Sequence, residues 1–109
     1  MADFSQSDDI NRLVDEIERT HNQLDVVVNN AAKGGGSDDE SVEEFDDYFK
    51  ANTRSVYALC TRAKPLLQKN GGAIVNISSI NGVKPVIIGV LTEKIQFNKI
   101  NFFLTMSHI

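Results

Sequence analysis

Two pairs of polar residues, Asn29-Asn30 and Ser78-Ser79, each follow directly on an apolar segment of the chain. Their amide and hydroxyl groups can form hydrogen bonds with a polar ligand. The segments before them are short and rich in valine and isoleucine, which is typical of strands in a parallel sheet. Ligands of open parallel sheets bind beyond the carboxyl ends of the strands. The two polar pairs therefore predict a ligand site at that edge of the sheet.

The elements that position these pairs are two strands, at residues 24–28 and 73–77, and one long amphipathic helix between them. The helix is predicted over residues 41–69, with Ser41 as its N-cap and Glu44 as the second member of a capping box. A strand, a helix and a second apolar strand are together typical of a parallel βαβ unit.

Asn52 interrupts the apolar side of that helix. The other residues at helical spacing are apolar: Val42, Phe45, Phe49, Val56, Leu59, Ala63 and Leu66. A buried amide without a hydrogen bond costs about 1–3 kcal/mol, so Asn52 needs a partner. It either bonds a neighbouring backbone group or belongs to the functional site, and the sequence leaves both interpretations open.

A first amphipathic helix is predicted upstream, capped by Ser7 or Asp8 and ending near His21. Its apolar face has helical spacing and consists of Ile10, Leu13, Val14 and Ile17. The glycines at residues 34–36 lack the GxGxxG spacing and the lysine of a phosphate loop, and the acidic residues after them would repel phosphate. We interpret this glycine segment as a flexible connection.

Composition limits the class of protein. The chain has 109 residues and a net charge of −4, which predict a single small domain and no nucleic-acid partner. Cys60 is the lone cysteine, so an internal disulfide is excluded and a reducing compartment is favoured. We interpret Cys60 as a small residue inside the helix rather than a reactive thiol. We predict a cytoplasmic location without membrane association, because no signal peptide or membrane span is apparent. We also predict no metal site.

Taken together, the motifs resemble the short-chain dehydrogenase/reductase family. Residues 29–32, Asn-Asn-Ala-Ala, resemble the family's Asn-Asn-Ala-Gly motif, with an alanine in place of the glycine. Asn52 is at the position of the family's active-site asparagine. Residues 72–82 resemble the family's fifth strand, in which Ser79 corresponds to the catalytic serine. Asp3 corresponds to the acidic residue that contacts adenine at the end of the third strand.

The resemblance implies an α/β fold: a partial Rossmann-type, doubly wound parallel sheet that comprises about strands 3 to 5 with two helices. Residues 1–85 would form an incomplete NAD(P)-binding domain, and residues 86–109 would form a divergent tail. In the Rossmann strand order 3-2-1-4-5-6, strand 1 separates strands 3 and 4. The strand at residues 24–28, which corresponds to strand 4, is therefore expected to have an unpaired apolar edge.

The resemblance also implies a function, that of an oxidoreductase that interconverts alcohol and carbonyl groups of a small-molecule substrate with NAD or NADP as cofactor. Asp3, Asn29 and Ala31 would contact the cofactor. Ser79 would polarise the reacting oxygen of the substrate. Asn52 would maintain a local helix distortion and hold a water for a proton relay.

Two features of the family do not appear in the sequence. The glycine-rich turn after the first strand is absent, and Thr92 and Gln96 occupy the positions of the Tyr-x-x-x-Lys motif. We therefore expect the chain alone to be catalytically inactive. The alternative function is that of a non-enzymatic protein whose helix at residues 41–69 docks onto an intact relative. Members of the family are commonly dimers or tetramers, so a homo-oligomer is also implied.

Overall fold

The two strands form a parallel sheet in the computed structural model, which describes residues 2–34 and 41–79. Along the chain the elements are α1 (Ser7–His21), β1 (Val26–Asn29), α2 (Val42–Phe49), a π-helical turn (Lys50–Arg54), α3 (Ser55–Gln68) and β2 (Ala73–Asn76). In the register of the sheet, Val26 is opposite Ala73 and Asn29 is opposite Asn76. The predicted parallel βαβ unit is confirmed. The predicted domain boundary between residues 85 and 86, and the tail after it, lie outside the described residues.

Helix α1 begins where the sequence predicts, but its predicted cap is wrong. The N-cap residue is Gln6, with no side-chain capping bond, and Ser7 is already helical. The chain turns earlier, because the N–H of Gln6 bonds the carbonyl of Asp3 at 3.0 Å. The helix ends as predicted at Asn22, whose left-handed conformation (φ 55°) lets its N–H bond the carbonyl of Glu18.

The second helix is not the one continuous helix that the sequence predicts. Ser41 does cap it, since its Oγ accepts a hydrogen bond from the N–H of Glu44 at 3.2 Å. Between α2 and α3, however, the chain makes a π-helical turn, in which the N–H of Ser55 bonds the carbonyl of Lys50. A π turn takes up an extra residue, so it shifts the side of the helix that faces the sheet. Val42, predicted to be part of the apolar stripe, is 70% exposed.

Helix α3 packs on one face of the sheet and forms the centre of the apolar core there. Val27, Ala63 and Leu67 make up its buried cluster, with Leu24, Leu59 and Ile74 packed against it. Gly72 permits this close approach, since a Cβ atom there would lie 2.7 Å from the carbonyl oxygen of Asp25 and from Cδ2 of Leu67.

Helix α1 packs against α3 rather than against the strands. Ile10 and Val14 are buried at this contact, as their predicted positions on the apolar face require. Polar bonds at the surface also hold α1 in place: Arg62 of α3 pairs with Asp15, and Arg54 of the π turn donates to the Oγ of Ser7 at 2.8 Å. None of the helices in residues 2–34 and 41–79 is both long and apolar enough to cross a bilayer.

The other face of the sheet is exposed within the described part of the chain. Its side chains are 51%, 57%, 43% and 46% exposed, for Val26, Val28, Val75 and Ile77 respectively. The sheet there has two strands, so β1 has a partner strand on one edge only among these residues.

Candidate functional site

Asn29 is the last residue of β1, and its side chain connects β1 with β2 and α3 next to the predicted site. It is 6% exposed, and its Nδ2 donates to Oδ1 of Asn76 on β2 at 2.6 Å and to Sγ of Cys60 on α3 at 3.4 Å. Its backbone carbonyl accepts a hydrogen bond from the N–H of Ile77 at 3.0 Å. The side chain of Asn29 is therefore directed into the protein, beneath the loop that follows β1.

Cys60 is buried against this amide, as the sequence interpretation expects of a small helix residue. Burial raises the pKa of the Cys60 thiol, and the hydrogen bond from Asn29 opposes that shift to a smaller extent. The thiol is therefore protonated at neutral pH and accepts a weak hydrogen bond through its sulfur.

Asn52 lies in the π-helical turn and is 3% exposed. Its Oδ1 accepts a hydrogen bond from the N–H of Lys33 at 2.7 Å, and its Nδ2 donates to the carbonyl of Lys33 at 2.9 Å. The amide thus bonds a backbone segment, which was one interpretation of this residue, at a helix distortion of the kind that the family resemblance implies. The two bonds hold the loop after β1 against the π turn.

The loop between these two amides forms one wall of a cleft of about 380 Å³. The lining residues come from the amino-terminal turn, the loop after β1 and the helices above it: Ala2, Asp3, Phe4, Ser5, Ala31, Ala32, Lys33, Asp47 and Ala51. Two of the predicted cofactor residues, Asp3 and Ala31, therefore share one cleft. The third, Asn29, lies behind the wall and not in it.

Charged groups lie on both walls of the cleft, the carboxylate of Asp3 on one and an ion pair between Lys33 and Asp47 on the other. On one wall, Oδ1 of Asp3 accepts a hydrogen bond from the N–H of Ser5 at 2.9 Å, and the bonds with Ser5 lower the pKa of Asp3. On the other, Nζ of Lys33 lies 3.6 Å from Oδ2 of Asp47 and 5.3 Å from the centre of the Tyr48 ring. Sequence reasoning missed Lys33, and the only available signal was its place directly after the Asn-Asn-Ala-Ala motif.

Ser79 lies three residues beyond the end of β2, at the same edge of the sheet, and is half-buried. Neither Ser79 nor Asn52 lines the cleft that contains Asp3. Asn52 nevertheless adjoins this cleft, because it bonds the backbone of Lys33, which lines it. No group of three potential metal ligands occurs in residues 2–34 and 41–79.

A family model described as short chain dehydrogenase matches residues 1–91. The chain belongs to this family. Among similar proteins, the 3beta-hydroxysteroid dehydrogenase of Mediterraneibacter gnavus is 40% identical over 86 residues, which cover 76% of this chain and 31% of that protein. The 3-oxoacyl-acyl-carrier-protein reductase FabG of Chlamydia trachomatis is 33% identical over 90 residues, covering 77% of this chain and 35% of that one. The chain therefore spans about a third of the length of these relatives.

A reductase and a dehydrogenase of known structure have the same fold. The L-sorbose reductase of Gluconobacter frateurii, solved with NADPH and L-sorbose, superposes with a TM-score of 0.90 at 20% identity, over 96% of this chain and 41% of that one. A short-chain dehydrogenase from Burkholderia cenocepacia, solved with NADP, gives a TM-score of 0.81 at 26% identity, over 94% and 42% of the two chains. The predicted α/β class, a partial Rossmann-type sheet, is confirmed.

Proposed function

We propose that the complete protein is an NAD(P)-dependent oxidoreductase that interconverts an alcohol and a carbonyl group of a small molecule. The observation that carries the proposal is the cleft at the carboxyl edge of the sheet, because Asp3 and Ala31 meet there although they are far apart in the sequence. Membership of the short-chain dehydrogenase family supports the reaction class.

The residues of the cleft fit the adenosine part of NAD or NADP. The methyl side chains of Ala31 and Ala32 leave room beside the loop, and Asp3 offers an anionic hydrogen-bond acceptor. In this proposal Asp3 contacts the adenine, Ala31 lines the ribose region, and Asn29 supports Ala31 from behind. When bound, the nicotinamide cofactor supplies or takes up the hydride.

Ser79 and Asn52 are the catalytic residues of the proposal. The Ser79 hydroxyl, three residues beyond β2, would donate a hydrogen bond to the reacting oxygen and stabilise the charge that develops on it. Asn52 would act through its π turn, in which the backbone departs from the α-helical bonding pattern. A carbonyl freed in this way can accept a hydrogen bond from a relay water.

We also propose that this chain alone does not turn over substrate, because Thr92 and Gln96 stand where the proton-donating tyrosine and its lysine would be. The expected result is no oxidation of NADH or NADPH above background with a panel of aldehydes and ketones. Substrate-dependent oxidation by the purified chain would contradict this part of the proposal.

Cofactor binding is tested by titrating the labelled chain with NADPH and following backbone amide signals by NMR. We expect the signals of Ala31 and Ala32 to shift, and Asp3→Ala to weaken binding about tenfold, which corresponds to ~1.4 kcal/mol. Asp8→Ala is the matched control, since Asp8 is also exposed and acidic but does not line the cleft. Shifts confined to residues outside the cleft would contradict the assignment.

A second candidate function, association with another subunit of the family, is favoured by a groove of about 440 Å³ between α1 and α3. It is lined by Asn11, Arg54, Tyr57, Ala58, Thr61, Arg62 and Pro65, and Tyr57 is 53% exposed. The proposed occupant is the equivalent helix of a second short-chain dehydrogenase subunit. The groove combines exposed apolar area with two arginines, which is a composition typical of interfaces.

Sedimentation of the chain, alone and mixed with a full-length member of the family, tests this association. We expect Ala58→Arg to abolish any complex, because it places a charge in the middle of the groove. Gln68→Arg introduces the same charge at an exposed position of α3 outside the groove and should leave the complex intact. A monomeric chain in both samples would contradict the second candidate.

A further inference from the structure

Asn76 has no role in the function proposed above, yet it is the strongest partner of Asn29. The two residues are directly opposite in the register, and their amides meet at 2.6 Å. The other bond of Asn29 goes to a thiol sulfur at 3.4 Å, which is a weak acceptor. Val27 and Ile74, two positions earlier on the two strands, belong to the apolar core and have no polar side-chain group that could replace the bond. The orientation of the Asn29 amide therefore depends mainly on Asn76.

The loop after Asn29 is short and is held at both ends. Asn29 fixes its beginning, and Asn52 fixes Lys33 through two hydrogen bonds. Only residues 30–32 lie between these anchors, and all of them are exposed. A segment of three residues with both ends fixed has few conformations. A displacement at one end is therefore transmitted to the other.

We propose that Asn76 is a positioning residue, which acts through Asn29 to hold the loop of residues 30–33 as a wall of the cleft. It makes no contact with substrate or cofactor in this role. The importance of the loop for binding rests on the proposed function, whereas the effect of Asn76 on the loop does not.

The test compares Asn76→Leu, which removes the acceptor, with Asn76→Asp, which retains an acceptor oxygen for Asn29. Hydrogen exchange is measured at the amide of Lys33, which bonds Asn52, and at the amide of Ala73, which bonds Asp25 in the sheet. We expect Asn76→Leu to accelerate exchange at Lys33 about tenfold more than at Ala73, a difference equivalent to ~1.4 kcal/mol. Asn76→Asp should leave that ratio close to the wild-type value.

Ile74→Ala is the control for a merely structural role, since Ile74 lies on the same strand and packs against the core. It should accelerate exchange at Lys33 and Ala73 in equal proportion. The same equal acceleration in Asn76→Leu would overturn the inference. Asn76→Gln, which keeps the amide but displaces it, replaces Asn76→Leu if that variant does not fold, and the same difference between the two amides is expected.

Titration of the same variants with NADPH separates this inference from the proposed function. Binding about tenfold weaker in Asn76→Leu than in Ile74→Ala would support both. If the wild-type chain does not bind NADPH but the exchange pattern is as expected, Asn76 positions the loop and the cofactor proposal fails. If NADPH binds equally well to Asn76→Leu and exchange at Lys33 is unchanged, the positioning role fails and the cofactor proposal stands.

Discussion

The two faces of the sheet have the same kind of sequence but different surroundings. Val27, on the face covered by α3, is 8% exposed, whereas its neighbour Val28, on the opposite face, is 57% exposed. Parallel strands that are apolar on both faces normally have helices on both. The described residues thus contain the sheet and one of the two helical layers expected around it. Apolar burial therefore stabilises the sheet from one side. Substitutions of apolar residues on the two faces should consequently have very different effects on the free energy of unfolding.

The largest effect is expected for Leu67→Ala on the covered face. Leu67 is 4% exposed and belongs to the buried cluster with Val27 and Ala63. Loss of its side chain should lower the free energy of unfolding by about 2–5 kcal/mol, from lost burial and the cavity that remains. Urea unfolding followed by circular dichroism measures this change. An effect as small as that of a surface substitution would remove the difference between the faces.

Gly72→Ala tests how closely α3 approaches the strands on the covered face. The added methyl group would collide with the carbonyl oxygen of Asp25, a backbone atom that cannot easily move. We expect a loss of about 1–3 kcal/mol, in the range of other overpacked sites. Gly34→Ala serves as the matched control, because a Cβ there has no heavy atom within 4 Å. Equal stability of the two variants would contradict the close packing.

Cys60 provides a pH-dependent measure of burial on the covered face. The pKa of Cys60 in the folded protein lies above the ordinary value of a thiol, because burial disfavours the thiolate. This preference for the protonated form contributes stability that is complete below the unfolded pKa and is lost as the pH rises through the folded pKa. Stability should therefore fall as the pH increases above about 9, and Cys60→Ala should remove that component. An identical pH dependence in the two proteins would show that the thiol is not buried.

The smallest effect is expected for Val28→Thr on the exposed face. The two side chains are similar in shape and both suit a strand, so the free energy of unfolding should change by no more than about 0.5 kcal/mol. The variant is compared with wild type under the conditions used for Leu67→Ala. A loss larger than ~1 kcal/mol would mean that a further segment or subunit covers this face.

Much of the fold follows from short-range patterns in the sequence. The apolar runs before Asn29 and Ser78 predict both strands, and the capping residue Ser41 predicts where α2 begins. The end of α1 at Asn22 was also predictable. The π turn was not derivable from periodicity, since the helical spacing of the apolar residues is the same before and after Asn52. Only the family resemblance implied a distortion there.

The candidate site was predictable in its position but not in its internal arrangement. The end of β1 and the end of β2 had to meet at one edge, because parallel pairing brings carboxyl ends together. The sequence did not indicate that Asn29 turns inward or that Lys33 enters the cleft. The orientation of each of these two side chains depends on which residues, distant in the sequence, pack beside it.

The sequence by itself determined the βαβ order, the family and the edge of the sheet at which a ligand is expected, since these depend on local propensity and on motifs of a few residues. The tertiary structure alone decided which groups face each other. Asn29 and Asn76 are 47 positions apart, and Asn52 and Lys33 are 19 apart. A buried amide takes the partner that packing brings within hydrogen-bond distance, and that choice is made only when helix and strands assemble.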